Sequence, residues 1–188
     1  MSFIPFNASQ VTAGRADDQY LFDLSKRNFT DHENRVLLLE GGSLSVGTSV
    51  ASDTNTSGTF KIMASVQITS HARPIFICLC ATSAAGGGLI YCENTSAGQA
   101  VATSEWKIER KDYVPLYTPG TMIKQSNLSH TNAANGVFKF GIPCSALAIF
   151  DYPAAGMFVY TLYGGVGNSA NNRCGVENVA LCAIELRG

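Results

Sequence analysis

Short apolar runs recur along this chain at roughly the length of a β-strand, each bounded by Gly, Pro, Asn or Ser. No stretch carries the i, i+3, i+4 repeat of a long amphipathic helix. The clearest alternation sets Phe60, Ile62, Ala64, Val66 and Ile68 on one face and Lys61, Met63, Ser65, Gln67 and Thr69 on the other. Residues 74–82 (PIFICLCAT) are continuously apolar and read as a central strand. GLIYCE at 88–93 and EWKIERK at 105–111 follow after turns, the latter with Trp106 and Ile108 on one side and Lys107 and Glu109 on the other. Four more strands are expected near GVFKFGI, SALAIF, GMFVYTL and VALCAIEL, and one earlier at RVLLLE (35–40). GGSLSVGTSVASDTNTSG (41–58) reads as a polar connection or weak hairpin. Nine or ten strands with turns at this spacing predict an all-β, two-sheet antiparallel sandwich.

A chain of 188 residues is long enough for one such domain with a core that needs no covalent staple. Ten of its charged residues (13 Lys and Arg, 14 Asp and Glu in all) fall within the first forty positions, among Tyr20, Leu21, Phe22, Leu24 and Phe29. This contrast divides the chain into an N-terminal arm, 1–34, and a sandwich domain, 35–188. A net charge of −1 supplies no electrostatic attraction for nucleic acid or an anionic membrane, and no apolar run reaches the ~18 residues of a membrane helix. The opening MSFIPFNASQ has no basic segment followed by an apolar core, so synthesis in a cytoplasm is expected. Cys78, Cys80 and Cys182 lie in apolar runs, Cys92 ends one, and Cys144 and Cys174 read as loop residues. All six are expected to be reduced and mostly buried.

Catalytic and metal-binding patterns are absent from the sequence. His32, His71 and His130 are far apart, none at a ligand spacing from a Cys or an acid. Cys78-Leu-Cys80 puts two thiols on one strand face, where filling a buried sheet explains them better than metal binding. There is no G-x-S-x-G and no G-x-x-x-x-G-K-[ST]. The acids nominate no catalytic pair, so no enzyme activity and no cofactor are expected. N-x-[ST] triplets at Asn7, Asn28, Asn55, Asn94 and Asn127 reflect polar turns.

The final strands are unusual. Phe158, Tyr160 and Leu162 alternate with Met157, Val159, Thr161 and Tyr163, and residues 179–186 are equally two-faced. One face of a sandwich strand covers the core, so the other is expected to meet another subunit. Phe158, Tyr160, Leu162, Leu181 and Ala183 are the candidate interface residues.

SGTFKIMASVQI, IFDYPAAGMFVYTLYGG and VENVALCAIELRG together resemble TNF/C1q-like jelly rolls, and more closely those of tailed-phage virions. The matching positions are Asp151, Pro153, Gly156, Tyr160, Thr161 and Leu162, then Leu181, Ala183, Ile184, Glu185 and Leu186. The resemblance spans about residues 35–188 and implies a jelly roll packed as a homotrimer, with a non-enzymatic role in a virus particle. On that basis the chain is expected to be a capsid decoration (cement) protein, partnered by capsid or other virion proteins. Tyr20, Phe22 and Phe29 of the arm would then attach it to the particle. The alternative is a trimeric receptor-binding knob of a tail fibre or spike recognising a host glycan or protein, with loops 113–117 and 127–135 as its contact surface.

Overall fold

The computed structural model describes residues 43–82, 87–98, 100–113, 120–132, 136–167 and 171–186. The chain divides between Gly41 and Gly42, and every described residue belongs to the second unit. The strand expected at 35–40 and the arm residues Tyr20, Phe22 and Phe29 lie outside the described residues.

Eleven strands appear, with no α-helix among the described residues: β1 (Leu44–Val46), β2 (Val50–Asn55), β3 (Lys61–His71), β4 (Ile75–Ala81), β5 (Leu89–Asn94), β6 (Val101–Asp112), β7 (Thr121–Thr131), β8 (Phe138–Pro143), β9 (Ala148–Asp151), β10 (Ala155–Gly165) and β11 (Asn172–Glu185). The second sheet has the order β3-β10-β6-β7. In the first, β11 is the axis. Its Asn172–Glu177 half pairs with β5 and its Val179–Glu185 half with β4, while β2 and β1 line its other edge. β8 and β9 continue the sheet beyond β5 and β4.

The register shows that β1–β2, β4–β5 and β8–β9 are three long strands, each interrupted once. Numbered as eight long strands, the sheets read 1-8-3-6 and 2-7-4-5. The antiparallel neighbours 1–8, 2–7, 3–6 and 4–5 are those of one long hairpin rolled into two sheets, which is a jelly roll. The expected sandwich is therefore observed; the strands beyond those expected are β1 and β2, within the stretch read as a polar connection or weak hairpin, and β7, which runs into the expected loop 127–135.

Those interruptions line up as a fault across the first sheet. Gly47 donates its N–H to Leu181 O, Thr82 N–H donates to Asn178 O, and Cys144 N–H donates to Gly88 O beside the 3-10 turn Cys144–Ala146. On β11 the fault is Asn178, with φ 50°. There the inward positions change from Cys174 and Val176 to Val179, Leu181 and Ala183, all in the core. Cys174 is thus a strand residue at the centre of the core and not a loop residue.

Both sheets turn apolar side chains inward. Trp106, Ile108, Tyr160, Leu162 and Ile68 of the second sheet meet Ile75, Ile77, Leu79, Ile90 and Leu181 of the first. The buried Trp106 indole N–H is satisfied by Ser104 Oγ at 2.8 Å. The β3 alternation holds from Ala64 to Ile68 but fails before it, where Met63 is buried and Ile62 is 56% exposed. The β10–β3 register slips between Leu162 and Tyr163, so Met63 is an extra residue that turns inward in place of Ile62.

Asn55 and Asn94 head two of the N-x-[ST] triplets and close turns. Asn55 Oδ1 accepts from Ser57 N–H and Asn94 Oδ1 from Ser96 N–H, and both amides are buried.

Candidate functional site: the outer face of the first sheet

Residues directly opposite one another across paired strands share a face of the sheet. Below the fault, the outward rows of the first sheet are Leu44–Ile184–Phe76–Phe150, Val46–Cys182–Cys78–Ala148 and Ala180–Cys80. Not one of these ten side chains is charged. Leu44 is 66% exposed, Val46 62% and Phe150 49%, and Tyr152, two residues beyond Phe150, is 74% exposed. The Phe76 and Phe150 rings pack at 5.0 Å and 43°.

Above the fault the same face is polar and satisfied within the chain. Arg173 holds Glu93 with two hydrogen bonds of 2.8 Å. Lys139 pairs with Glu177 and lies 4.0 Å over the Tyr91 ring. Tyr91 in turn lies across Gly175, where an added Cβ would fall 2.5 Å from the phenol oxygen. The face is therefore half closed by its own charges and half open and apolar.

The five residues expected to form the interface are not on this face. Phe158 is 6% exposed, and Tyr160, Leu162, Leu181 and Ala183 are fully buried, all in the core between the two sheets. They hold the domain together and present no surface to a partner. The two-faced apolarity of 179–186 has another origin: the opposite positions Ala180, Cys182 and Ile184 belong to the open face. On β10 the opposite positions are covered toward its end, with Thr161 buried and Tyr163 under the Lys107 ammonium at 4.9 Å, while Met157 at its start is 42% exposed. The surface was signalled by the unbroken apolarity of residues 74–82 and 179–186, which a strand covered on one face does not require; Leu44 and Val46 carried no such signal.

The polar motif residues Asp151 and Glu185 are braces at one end of the sandwich. Asp151 and Glu185 flank Ile75 in a single row of the first sheet, and both reach the second. Asp151 Oδ2 accepts from Tyr160 Oη at 2.7 Å and Arg110 Nη1 at 2.6 Å. Burial, and then the Asp151 carboxylate, push the Tyr160 phenol well above its ordinary pKa. Glu185 Oε1 accepts the His71 backbone N–H at 2.5 Å, and its Oε2 lies 2.8 Å from His71 Nδ1. Burial raises the Glu185 pKa, but these hydrogen bonds outweigh it and hold the carboxyl below its usual 4.5.

A carboxyl depressed in the folded state stabilises the fold fully above its unfolded value and loses that contribution as pH falls through the folded one. Glu185→Gln is therefore expected to flatten the acid limb of the stability curve below pH 4.5, while lowering stability at pH 7 by about 1–3 kcal/mol. Urea unfolding at a series of pH values reads both effects. An unchanged acid limb would show that the Glu185–His71 contact carries no such linkage.

Among the described residues, no group of three or more His, Cys, Asp or Glu side chains is placed to hold a metal ion, and no helix is long and apolar enough to cross a membrane. No protein-family model and no curated protein matches the sequence. Solved structures do share its outline. Eiger TNF from S. frugiperda is 10% identical over 77% of this chain and 91% of its own, with a TM-score of 0.42. Murine APRIL is 7% identical over 77% and 99%, with a TM-score of 0.38. The structure of infectious bursal disease virus Gt strain is 10% identical over 77% of this chain, which spans 32% of that one, with a TM-score of 0.36. The jelly-roll assignment itself rests on the strand order.

Proposed function

We propose that this chain is a non-enzymatic virion structural protein, a homotrimeric capsid decoration protein of a phage. Its first sheets pack around the three-fold axis, and its N-terminal arm binds the particle. The observation that carries self-association is the uncharged outer half-face of the first sheet, exposed at Leu44, Val46, Phe150 and Tyr152. An apolar patch that crosses four adjoining strands and is exposed at both edges, on β1 and β9, is a surface for a partner. A symmetric homo-oligomer would cover it with copies of itself. The three-fold symmetry and the virion setting are supported by the resemblance of residues 35–188 to phage jelly rolls.

Attachment through the arm is tested in the full chain by Tyr20→Ser, Phe22→Ser and Phe29→Ser together. The variant is expected to keep its oligomeric state and lose binding to particles stripped of the protein. Normal rebinding would overturn the arm as anchor. A soluble wild-type chain that binds host cells and blocks infection would instead identify a receptor-binding knob.

A further inference from the structure

Four of the six cysteines lie as two directly opposed pairs along β11: Cys92 faces Cys174 across β5, and Cys78 faces Cys182 across β4. Directly opposed residues in an antiparallel pair have Cα atoms about 4.5 or 5.5 Å apart, depending on the hydrogen-bonding position. Both values fall inside the roughly 4.4–6.8 Å range that a disulfide spans. All six cysteines are free thiols in the structure.

The pairs differ in access. Cys92 and Cys174 are fully buried between the sheets, and the Cys92 thiol donates to Ala102 O inside the core. Cys78 is half-buried on the outer face, with Cys80 Sγ 3.6 Å away, and Cys182 opposite it is buried, its thiol 3.9 Å from Ala180 O. Cys80 is a poor partner for a bond to Cys78. Two positions apart on one strand, their Cα atoms are about 6.6–6.8 Å apart, at the limit of disulfide geometry.

We infer that Cys78 and Cys182 are a latent redox staple that a small-molecule disulfide closes, tying β4 to β11 at the centre of the open face. The exchange balances. The Cys78 thiolate attacks the oxidant, forming a mixed disulfide and releasing one thiol. The Cys182 thiolate then attacks the Cys78 sulfur, forming the protein disulfide and releasing the second. One small-molecule disulfide is reduced to two thiols, the protein loses two electrons, and its two thiol protons end on the released thiols. Burial pushes both thiols up to about 12, so the thiolate is scarce at neutral pH and closure is slow there. The staple encloses a long loop of chain, and closing it stabilises the fold chiefly by restricting the unfolded chain. The inference stands on the β4–β11 register and does not depend on the proposed trimer.

The test treats the full chain with oxidised glutathione, traps the remaining thiols by alkylation in urea, and maps linked peptides by mass spectrometry. Wild type is expected to fall from six free thiols to four, with the link at Cys78–Cys182. The initial rate should rise about tenfold per pH unit between roughly pH 7 and 9, and the linked protein should melt several degrees higher. Cys182→Ser is expected to leave Cys78 as a stable glutathione adduct, and Cys80→Ser to leave the link intact. Leu44→Asp with Phe150→Asp, which opens any self-association on this face, should give the same link, so shielding by a neighbouring copy is not mistaken for failure. Six free thiols in both wild type and that double variant, or a link mapping to other cysteines, would overturn the inference.

Discussion

Gly47→Ala is expected to destabilise the domain by about 3 kcal/mol or more, a large penalty for one methyl group. Gly47 lies where β1 gives way to β2, and a Cβ there would fall 2.0 Å from Ser65 O and 3.2 Å from Leu181 O. Both obstacles are backbone atoms, one in β3 of the second sheet and one in β11 of the first, so no side chain can swing aside. The Gly47 N–H is also committed to Leu181 O at 2.8 Å. Relief must come from lifting β1 off β11, which takes Leu44 and Val46 away from the open face. The substitution should therefore weaken self-association as well as stability. Gly136→Ala is the matched control: no atom lies within 4 Å of the added Cβ, and a change within about 0.5 kcal/mol is expected. Urea midpoints for the two variants decide the matter. Equal midpoints would show that β1 is not held as described.

Leu44→Asp with Phe150→Asp is expected to leave the protomer fold intact and to raise the dissociation constant of the oligomer by roughly four to five orders of magnitude. Both side chains are largely exposed within the chain, so their loss should cost the folded protomer little. In the oligomer the same positions would be desolvated. An aromatic anchor at such a site is worth about 2 kcal/mol or more, and an unpaired carboxylate buried in its place adds about 3–5 kcal/mol. The contrasting change is Phe158→Asp. That residue was the natural candidate on alternation alone, but it is a core residue, and the charge should unfold the domain before any interface is tested. Thermal melting combined with sedimentation separates the two outcomes.

These contrasts show how far the chain was legible before its structure. Strand identity follows from local chemistry: Trp106 and Ile108 face the core and Lys107 and Glu109 face away because a strand alternates by geometry. The choice of face is not local. In β11 the single left-handed residue Asn178 reverses which positions point inward, so 174–177 and 179–185 follow opposite phases. A bulge between β10 and β3 does the same to Ile62 and Met63. The edge strand β1 falls in a stretch that reads as a polar connection or weak hairpin because it offers only Leu44 and Val46 among Gly, Ser and Thr, and its pairing to Ile184 and Cys182 is contact over 130 positions away in sequence. Asp151 and Glu185 stood out as motif residues. Their role as ties between sheets depends on Arg110, Tyr160 and His71, which reach them only once the hairpin is rolled up.

The central claim is that the open half-face of the first sheet meets copies of itself. Sedimentation equilibrium of the full chain across micromolar concentrations tests it most directly. A species of three times the 20.0 kDa chain mass is predicted, falling to 20.0 kDa in the Leu44→Asp and Phe150→Asp variant. A wild-type chain that stays at 20.0 kDa at every concentration would contradict it.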